Sequence, residues 1–182
     1  MISAPSGAGK TSIAQEILRR NPSLVFSVSA TTRARRANEV EGKAYFFLTK
    51  GEFVRRVQQG EFVEWEEIYG NCYGTLIAEI DAALAVGKHL LFDVDVKGGL
   101  SIKNRYPQAL LVFIAPPSVE VLRERLVARH TESLETLARR LERVPLEMTL
   151  GKRFDYRVVN DDLTTAIENV QKIVSYYLEA RS

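Results

Sequence analysis

Near its start the chain reads Ser3-Ala4-Pro5-Ser6-Gly7-Ala8-Gly9-Lys10-Thr11. A short strand-like run, Met1-Ile2-Ser3, precedes it, and a helical pattern follows. This is close to the phosphate-loop spacing G-x-x-x-x-G-K-[ST], with Ala4 at the first glycine position. Glycines let main-chain N–H groups turn inward around phosphate oxygens, and a helix N-terminus adds positive potential. In such a loop Lys10 reaches the β- and γ-phosphates of a nucleotide, and the Thr11 hydroxyl ligates Mg²⁺. Taken alone, the stretch also reads as a plain strand-to-helix turn with a surface lysine. A second acidic feature, Phe92-Asp93-Val94-Asp95, ends an apolar strand. Ligands of open parallel sheets bind beyond the carboxyl ends of strands, and one carboxylate there can hold the water shell of magnesium. A solvated or helix-capping acid pair is the competing reading. A third feature, Ser29-Ala30-Thr31-Thr32-Arg33-Ala34-Arg35-Arg36, places guanidiniums after a strand. A guanidinium fork suits a phosphate monoester, and the hydroxyls of Tyr45 and Tyr73 can donate to the same group. A solvated charge run or a nucleic-acid patch fits the same residues.

These groups need a scaffold, and the pattern of the chain predicts one. Short apolar runs at Met1-Ile2-Ser3, 26–29, 90–93, 110–115 and 157–160 suit strands of a parallel sheet covered on both faces. Between them, Lys10 to Arg20 carries Ile13, Ile17 and Leu18 on one helical face and stops at Asn21-Pro22. Ser118 can cap a helix bearing Val119, Leu122 and Leu126, and Ser133 another bearing Leu134, Leu137, Leu141 and Val144. Pro145, without an N–H, is expected to break or kink that second helix. Leu163, Ala166, Ile167, Val170, Ile173, Val174 and Tyr177 recur at helical spacing after Asp161-Asp162. The alternation predicts an α/β fold, a three-layer sandwich.

The segment from Thr32 to Gly87 breaks the alternation. Residues 44–48 are aromatic and strand-like, and Thr49 with Glu52 forms a capping box for a short helix ended by Gly60. Phe62 to Ile68 is strand-like, residues 69–71 are turn-like, and Cys72-Tyr73-Gly74-Thr75 follows. The order reads as a small mixed lobe inserted into the α/β core.

Composition bounds the partners. The chain has 182 residues, of which 46% are hydrophobic and 26% charged, and a net charge of +2. That mix is a globular domain of ordinary polarity, not a strongly basic nucleic-acid binder or an acidic tail. One cysteine, Cys72, can form neither an internal disulfide nor a multi-cysteine metal site. The apolar runs are far below the roughly 20 residues of a spanning helix. The expectation is a soluble cytoplasmic protein with neither nucleic acid nor membrane among its partners.

Taken together, the motifs resemble the guanylate kinase family, and the resemblance covers nearly all of the chain. It rests on Ser-Ala-Pro-Ser-Gly-Ala-Gly-Lys, on Ser29, Arg33 and Arg36 in S-x-x-T-T-R-x-x-R, and on Tyr45 before Phe46-Phe47. Further carriers are Glu64 in Glu61-Phe62-Val63-Glu64-Trp65, Tyr73 and Thr75 in Gly70 to Thr75, and Asp93 with Asp95. Ile114 to Ser118 and Val159-Asn160-Asp161-Asp162 are also family-like. The resemblance implies a P-loop kinase fold with an inserted GMP-binding lobe and a helical lid, in one domain. The core would span about 1–31, 88–122 and 150–182, the lobe about 32–87 and the lid about 123–149. It implies phosphorylation of GMP, and of dGMP, by ATP with Mg²⁺, and leaves a homodimer open. Carried onto this sequence, Ser6, Gly7, Ala8, Gly9, Lys10, Thr11, Ser12 and Asn160 would bind ATP. Arg33, Arg36, Tyr45 and Tyr73 would hold the GMP phosphate, and Ser29, Glu64, Thr75 and Asp95 would surround guanine. Thr11, and Asp93 through water, would hold the metal. Lys10, Arg36 and the lid arginines Arg125, Arg129 and Arg140 would be catalytic. Arg139 and Arg143 read as a solvated helix face. The chain departs from the family pattern at Arg35, Val96-Lys97, His130 and Pro145. Two other functions compete: a non-catalytic kinase-like module binding phosphopeptides, and a kinase for another phosphorylated acceptor such as AMP.

Overall fold

A strand that is apolar on both faces must be covered on both faces. Residues 111–115, Leu-Val-Phe-Ile-Ala, obey that rule by alternation. Val112 and Ile114 enter one core, and Leu111, Phe113 and Ala115 enter another on the opposite side of the sheet. This computed structural model describes residues 1–43, 45–68, 70–128 and 134–180, with the side chains of 134–136 and 139 left aside.

The strand β1 (Ile2–Ser3) leads into the helix α1 (Lys10–Arg20) and then β2 (Leu24–Phe26). The inserted lobe contributes β3 (Ala30–Thr31), β4 (Phe46–Phe47), α2 (Lys50–Gln58), β5 (Phe62–Ile68) and β6 (Asn71–Leu76). The chain continues through α3 (Ile77–Ala85), β7 (His89–Leu91), α4 (Val96–Arg105), β8 (Val112–Ala115) and α5 (Val119–Val127). It ends with α6 (Leu134–Gly151), β9 (Tyr156–Val159) and α7 (Leu163–Glu179). β1, β8 and β9 form one parallel sheet, and β2 pairs in parallel with β7. A parallel bridge from Ile2 to Asp93 joins the two, with the Ile2 amide donating to the Phe92 carbonyl at 3.0 Å. The order across the core is therefore β2-β7-β1-β8-β9. One face is covered by α1, α5, α6 and α7, through Ile13, Ile17, Leu122, Val144 and Val170. The other is covered by α3 and α4, through Ile80, Val96 and Ile102. This is the three-layer α/β architecture expected from the sequence. Ile13 and Ile17 are fully buried, each worth about 1.5–3 kcal/mol of transfer free energy.

The lobe is a separate mixed sheet of order β4-β3-β6-β5, with β3 and β4 parallel and the other two pairings antiparallel. It has its own small core of Ala30, Phe53, Cys72 and Leu76, with the Phe53 and Phe62 rings stacked at 4.5 Å. Thr49 caps α2 by accepting from the Glu52 amide at 3.1 Å, while the Glu52 carboxylate pairs with Arg56.

Three expectations are corrected. The second core strand lies at Leu24–Phe26, and residues 27–29 cross from core to lobe. Two helices, α3 and α4, were not expected. α3 has no side-chain cap to announce it, and the cap of α4 is Asp95, a residue whose type also suits a ligand site. Helix α6 runs through Pro145 without ending. Proline denies the Leu141 carbonyl its usual partner, but Val144 is buried in the core and Leu141 and Met148 pack against it. The Thr149 hydroxyl then donates to the Pro145 carbonyl at 2.8 Å. Ser133, expected to cap this helix, lies outside the described residues, as do Arg129 and His130. Ser118 does cap α5, its hydroxyl accepting from the Val121 amide at 3.2 Å.

Candidate functional site

The loop between β1 and α1 is shaped by two glycines with positive φ, Gly7 at 89° and Gly9 at 94°. Gly9 is the N-cap of α1, and no side chain among the described residues caps that helix. Its first-turn amides therefore keep their donor capacity for an anion. A Cβ at Gly9 would strike the side-chain nitrogen of Asn160. Asn160 is buried behind the loop, donating from Nδ2 to the Ala8 carbonyl at 2.8 Å and from its own amide to the Ala115 carbonyl at 2.8 Å. Arg125 braces the same place, donating to the Asn160 and Asp161 carbonyls at 2.9 and 3.1 Å. Arg140 donates to the Ser6 hydroxyl. Lys10 is ion-paired with Asp93, and its ammonium lies 3.4 Å from the Val94 carbonyl. Thr11 and Ser12 are exposed on the first turn of α1. Ser6, Gly7, Gly9, Lys10, Thr11 and Ser12 line a cleft of ≈ 350 Å³ whose far wall is Ile68, Asp95, Arg140, Arg143 and Glu147.

A second pocket of ≈ 440 Å³ opens against the lobe, between β5 and the start of α4. Glu64, in its lining, is held by cross-strand pairing. Glu64 and Thr75 are register partners on β5 and β6, and the Thr75 hydroxyl donates to Glu64 Oε1 at 2.5 Å. Burial pushes the Glu64 carboxyl up to about 7, helped by the nearby charges of Asp95 and Glu66 and opposed by the Thr75 hydroxyl. Gly98 permits the approach, since a Cβ there would lie 2.9 Å from Glu64 Oε2. Asp95 lines both the cleft and this pocket. Its Oδ1 caps α4 through the Gly98 amide at 2.7 Å, and its Oδ2 accepts from Arg143 at 3.1 Å.

The cationic and phenolic groups gather on the lobe, near enough to the core for the charge of Asp93 to act on the Tyr45 phenol. Arg33 makes a forked pair with Glu39 at 2.6 and 3.1 Å and lies over the rings of Tyr45 and Phe47 at 5.4 and 5.8 Å. Tyr45 meets Tyr73 edge to face at 6.1 Å. Glu39 holds the Arg33 guanidinium further into its charged range, and Arg33 holds the Glu39 carboxyl below its ordinary value. Arg36 is exposed, with its backbone amide on Glu39 at 2.8 Å. Ser29 is half-buried, and its carbonyl accepts from the Phe46 amide. Arg125 and Arg140 lie at the loop, while the position of Arg129 is outside the described residues.

Two cleft residues escaped the sequence reading. Arg143, expected on a solvated face, instead contacts both oxygens of Glu66 and one of Asp95, at 3.1–3.2 Å. Glu147 is buried, and burial pushes its carboxyl up to about 7 against the pull of Arg143. The signal was the spacing: Arg140, Arg143 and Glu147 lie three and four apart, on one face of α6. Cys72 is buried, and Trp65 is half exposed with its ring edge against Phe53.

A doubly covered parallel sheet, a glycine-turned lysine loop at a helix N-terminus and an acidic pocket across the cleft define a P-loop kinase for a small acceptor. Comparison with known proteins carries this further. The family model Guanylate kinase matches residues 1–177. A guanylate kinase of Thermotoga maritima is 46% identical over 174 residues, covering 96% of this chain and 84% of that protein. One of Chlorobium luteolum is 47% identical over 182 residues, covering 100% and 92%. The crystal structure of guanylate kinase from Anaplasma phagocytophilum superposes with a TM-score of 0.73 at 31% identity, covering 99% of this chain and 83% of that one. The chain belongs to the guanylate kinase family.

Proposed function

We propose that this chain transfers the γ-phosphoryl group of ATP to GMP, giving ADP and GDP. The observation that carries the proposal is that Asp95 lines both the phosphate cleft and the Glu64 pocket, so donor and acceptor sites share a wall. The ATP phosphates lie on the amides of residues 6–12, with Lys10 reaching the β- and γ-phosphates. Asn160 and Arg125 hold that loop from behind. Arg33, Arg36, Tyr45 and Tyr73 take the GMP phosphate, the incoming dianion competing with Glu39 for the Arg33 fork. Ser29, Glu64, Thr75 and Asp95 take guanine. Guanine presents two donors side by side, N1–H and the N2 amine, and ionised Glu64 accepts from them. Adenine would set an acceptor against it. No residue assigned here needs the 2′-hydroxyl, so dGMP enters the same site.

Thr11 and Asp93 fit magnesium: the Thr11 hydroxyl would hold the ion directly and the Asp93 carboxylate would hold it through water. No cluster of three or more His, Cys, Asp or Glu able to hold a metal occurs among the described residues, which suits an ion carried by a nucleotide. Bound there, it neutralises charge on the β- and γ-phosphates. Arg129 and Arg140, and Arg125 once lid closure frees it from the Asn160 and Asp161 carbonyls, neutralise the transferring group, a role worth about 10³–10⁵ in rate for an arginine. The lobe, about 32–87, and the lid, about 123–149, close on the core to exclude water. No helix among the described residues is long and apolar enough to cross a membrane, and we place the activity in the cytoplasm.

The test is ADP release with GMP, dGMP, AMP and IMP as acceptors. Turnover with GMP is expected, with AMP poorer by about 10⁴ or more. No turnover with GMP at any magnesium concentration, or equal turnover with AMP, would overturn the proposal.

A further inference from the structure

Arg143 stands where lid helix, lobe and core meet. From α6 its guanidinium reaches Glu66 on β5 at 3.1 and 3.2 Å and Asp95 at the N-cap of α4 at 3.1 Å, with Glu147 one turn on at 4.0 Å. The contacts are partly shielded, the side chains of Arg143, Glu66 and Asp95 being 32%, 28% and 19% exposed. Shielded pairs of this kind are screened less by solvent than surface pairs. Three carboxylates converge on Arg143, and Glu64 lies beside them. Lys10, which acts on Glu147 across the cleft, is itself committed to Asp93. Asp95 has one oxygen fixed by the Gly98 amide, so the direction of its other oxygen is set by Arg143.

We propose that Arg143 is a positioning residue for the acceptor site: by holding Asp95 and Glu66 on one guanidinium it fixes the outer oxygen of Asp95 beside the Glu64 pocket, and so sets affinity and base selectivity for the purine monophosphate. This rests on the reading that Asp95 and Glu64 face guanine. A group confined to this wall acts on the acceptor and leaves the donor phosphates, gripped by the loop amides, alone.

Steady-state kinetics of Arg143→Met and Arg143→Lys with GMP, IMP and ATP test the idea, IMP lacking the exocyclic amine. Arg143→Met keeps the stem and loses the fork. Its KM for GMP should rise about tenfold with KM for ATP within about twofold, and its preference for GMP over IMP should narrow several-fold. Arg143→Lys keeps the charge but cannot span both carboxylates, so its KM for GMP should rise about threefold. That smaller shift carries the test alone if Arg143→Met does not fold. An unchanged KM for GMP, or equal rises for GMP and ATP with unchanged base preference, would overturn the inference. Asp95→Asn in the same assay separates the two readings. If it leaves KM for GMP unaltered, the assignment of the acceptor site fails. If it raises KM while the Arg143 variants do not, only the role of Arg143 fails.

Discussion

On the proposed assignment, the two halves of the cleft recognise anions by different means. The loop before α1 is made of main chain. Its shape is set by two left-handed glycines and by bonds from Asn160 and Arg140, and it offers amides that no side chain among the described residues caps. The lobe is made of side chains. Its cation Arg33 is already paired with its own acid Glu39, and its Glu66 is held by Arg143 from α6, which also holds Asp95 at the start of α4. A main-chain cradle is rigid before its ligand arrives and costs little to organise at the moment of reaction. A side-chain site must exchange partners, so its selectivity depends on how charge is shared among neighbours. The donor site should therefore fail in rate, and the acceptor site in affinity, selectivity and pH dependence.

The largest effect expected from that contrast is at Lys10. Lys10→Ala removes the ammonium proposed to reach the transferring phosphate and leaves every proposed GMP contact in place. We expect kcat to fall by about 10³ or more, in line with other electrostatic contacts to a transferring phosphoryl group. KM for GMP should stay within about threefold of the parent by the same separation of sites. Equal losses in both parameters would erase the distinction between the two halves.

A smaller effect, of a different kind, belongs to Glu64. Burial and neighbouring acids raise its carboxyl to about 7 from an ordinary 4.5. In the proposed site guanine needs the ionised form as acceptor, so GMP binding must drive the proton off wherever the free site still holds it. Affinity for GMP therefore improves as pH rises through 7 and levels above it. With a pKa near 7 only about a tenth of the sites are ionised at pH 6, so KM for GMP should be about tenfold higher at pH 6 than at pH 8. KM for ATP should not follow. Glu64→Gln cannot titrate, and its KM for GMP should be flat over the same range. The sign for stability runs the other way. The folded protein holds this proton more tightly than the unfolded chain, so the contribution is present below about 4.5 and is lost as pH rises through about 7.

The same contrast governs how much could be read from the sequence. The cradle is local: strand, glycines, lysine and helix lie within residues 2–20, and the helix begins and ends where its pattern places it. Caps at Thr49 and Ser118 were equally legible, because an N-cap bond spans three residues. The wall of the acceptor pocket is not local. Glu64 meets Thr75 across a hairpin, and Arg143 meets Asp95 and Glu66 across 48 and 77 positions. Spacing along α6 groups Arg143 with Arg140 and Glu147, but only the tertiary fold shows which acids Arg143 faces. The resemblance to a family supplied Glu64 and Asp95 as candidates, but not the pairing of Asp95 with Arg143 or its second use as the cap of α4. Pro145 was misread for a related reason. A local rule about a missing N–H was outweighed by the burial of Val144 and the packing of its neighbours.

The smallest expected effect tests the contrast at a position without a functional group. Gly98 lies on the first turn of α4 with no positive φ to demand glycine. Its absent side chain matters because a Cβ would sit 2.9 Å from Glu64 Oε2 and 3.3 Å from Asp95 Oδ1. Gly98→Ala should favour the helix slightly, by about 1 kcal/mol or less, since alanine outranks glycine in a helix. It must also push Glu64 by a few tenths of an ångström, because a carboxylate can yield where backbone cannot. The expected result is a melting temperature unchanged or slightly raised, KM for GMP up by about two- to fivefold, and kcat and KM for ATP held near the parent values. A lowered melting temperature with unaltered GMP kinetics would mean that Gly98 serves packing alone. Selectivity in the lobe would then not depend on how closely α4 lets Glu64 approach.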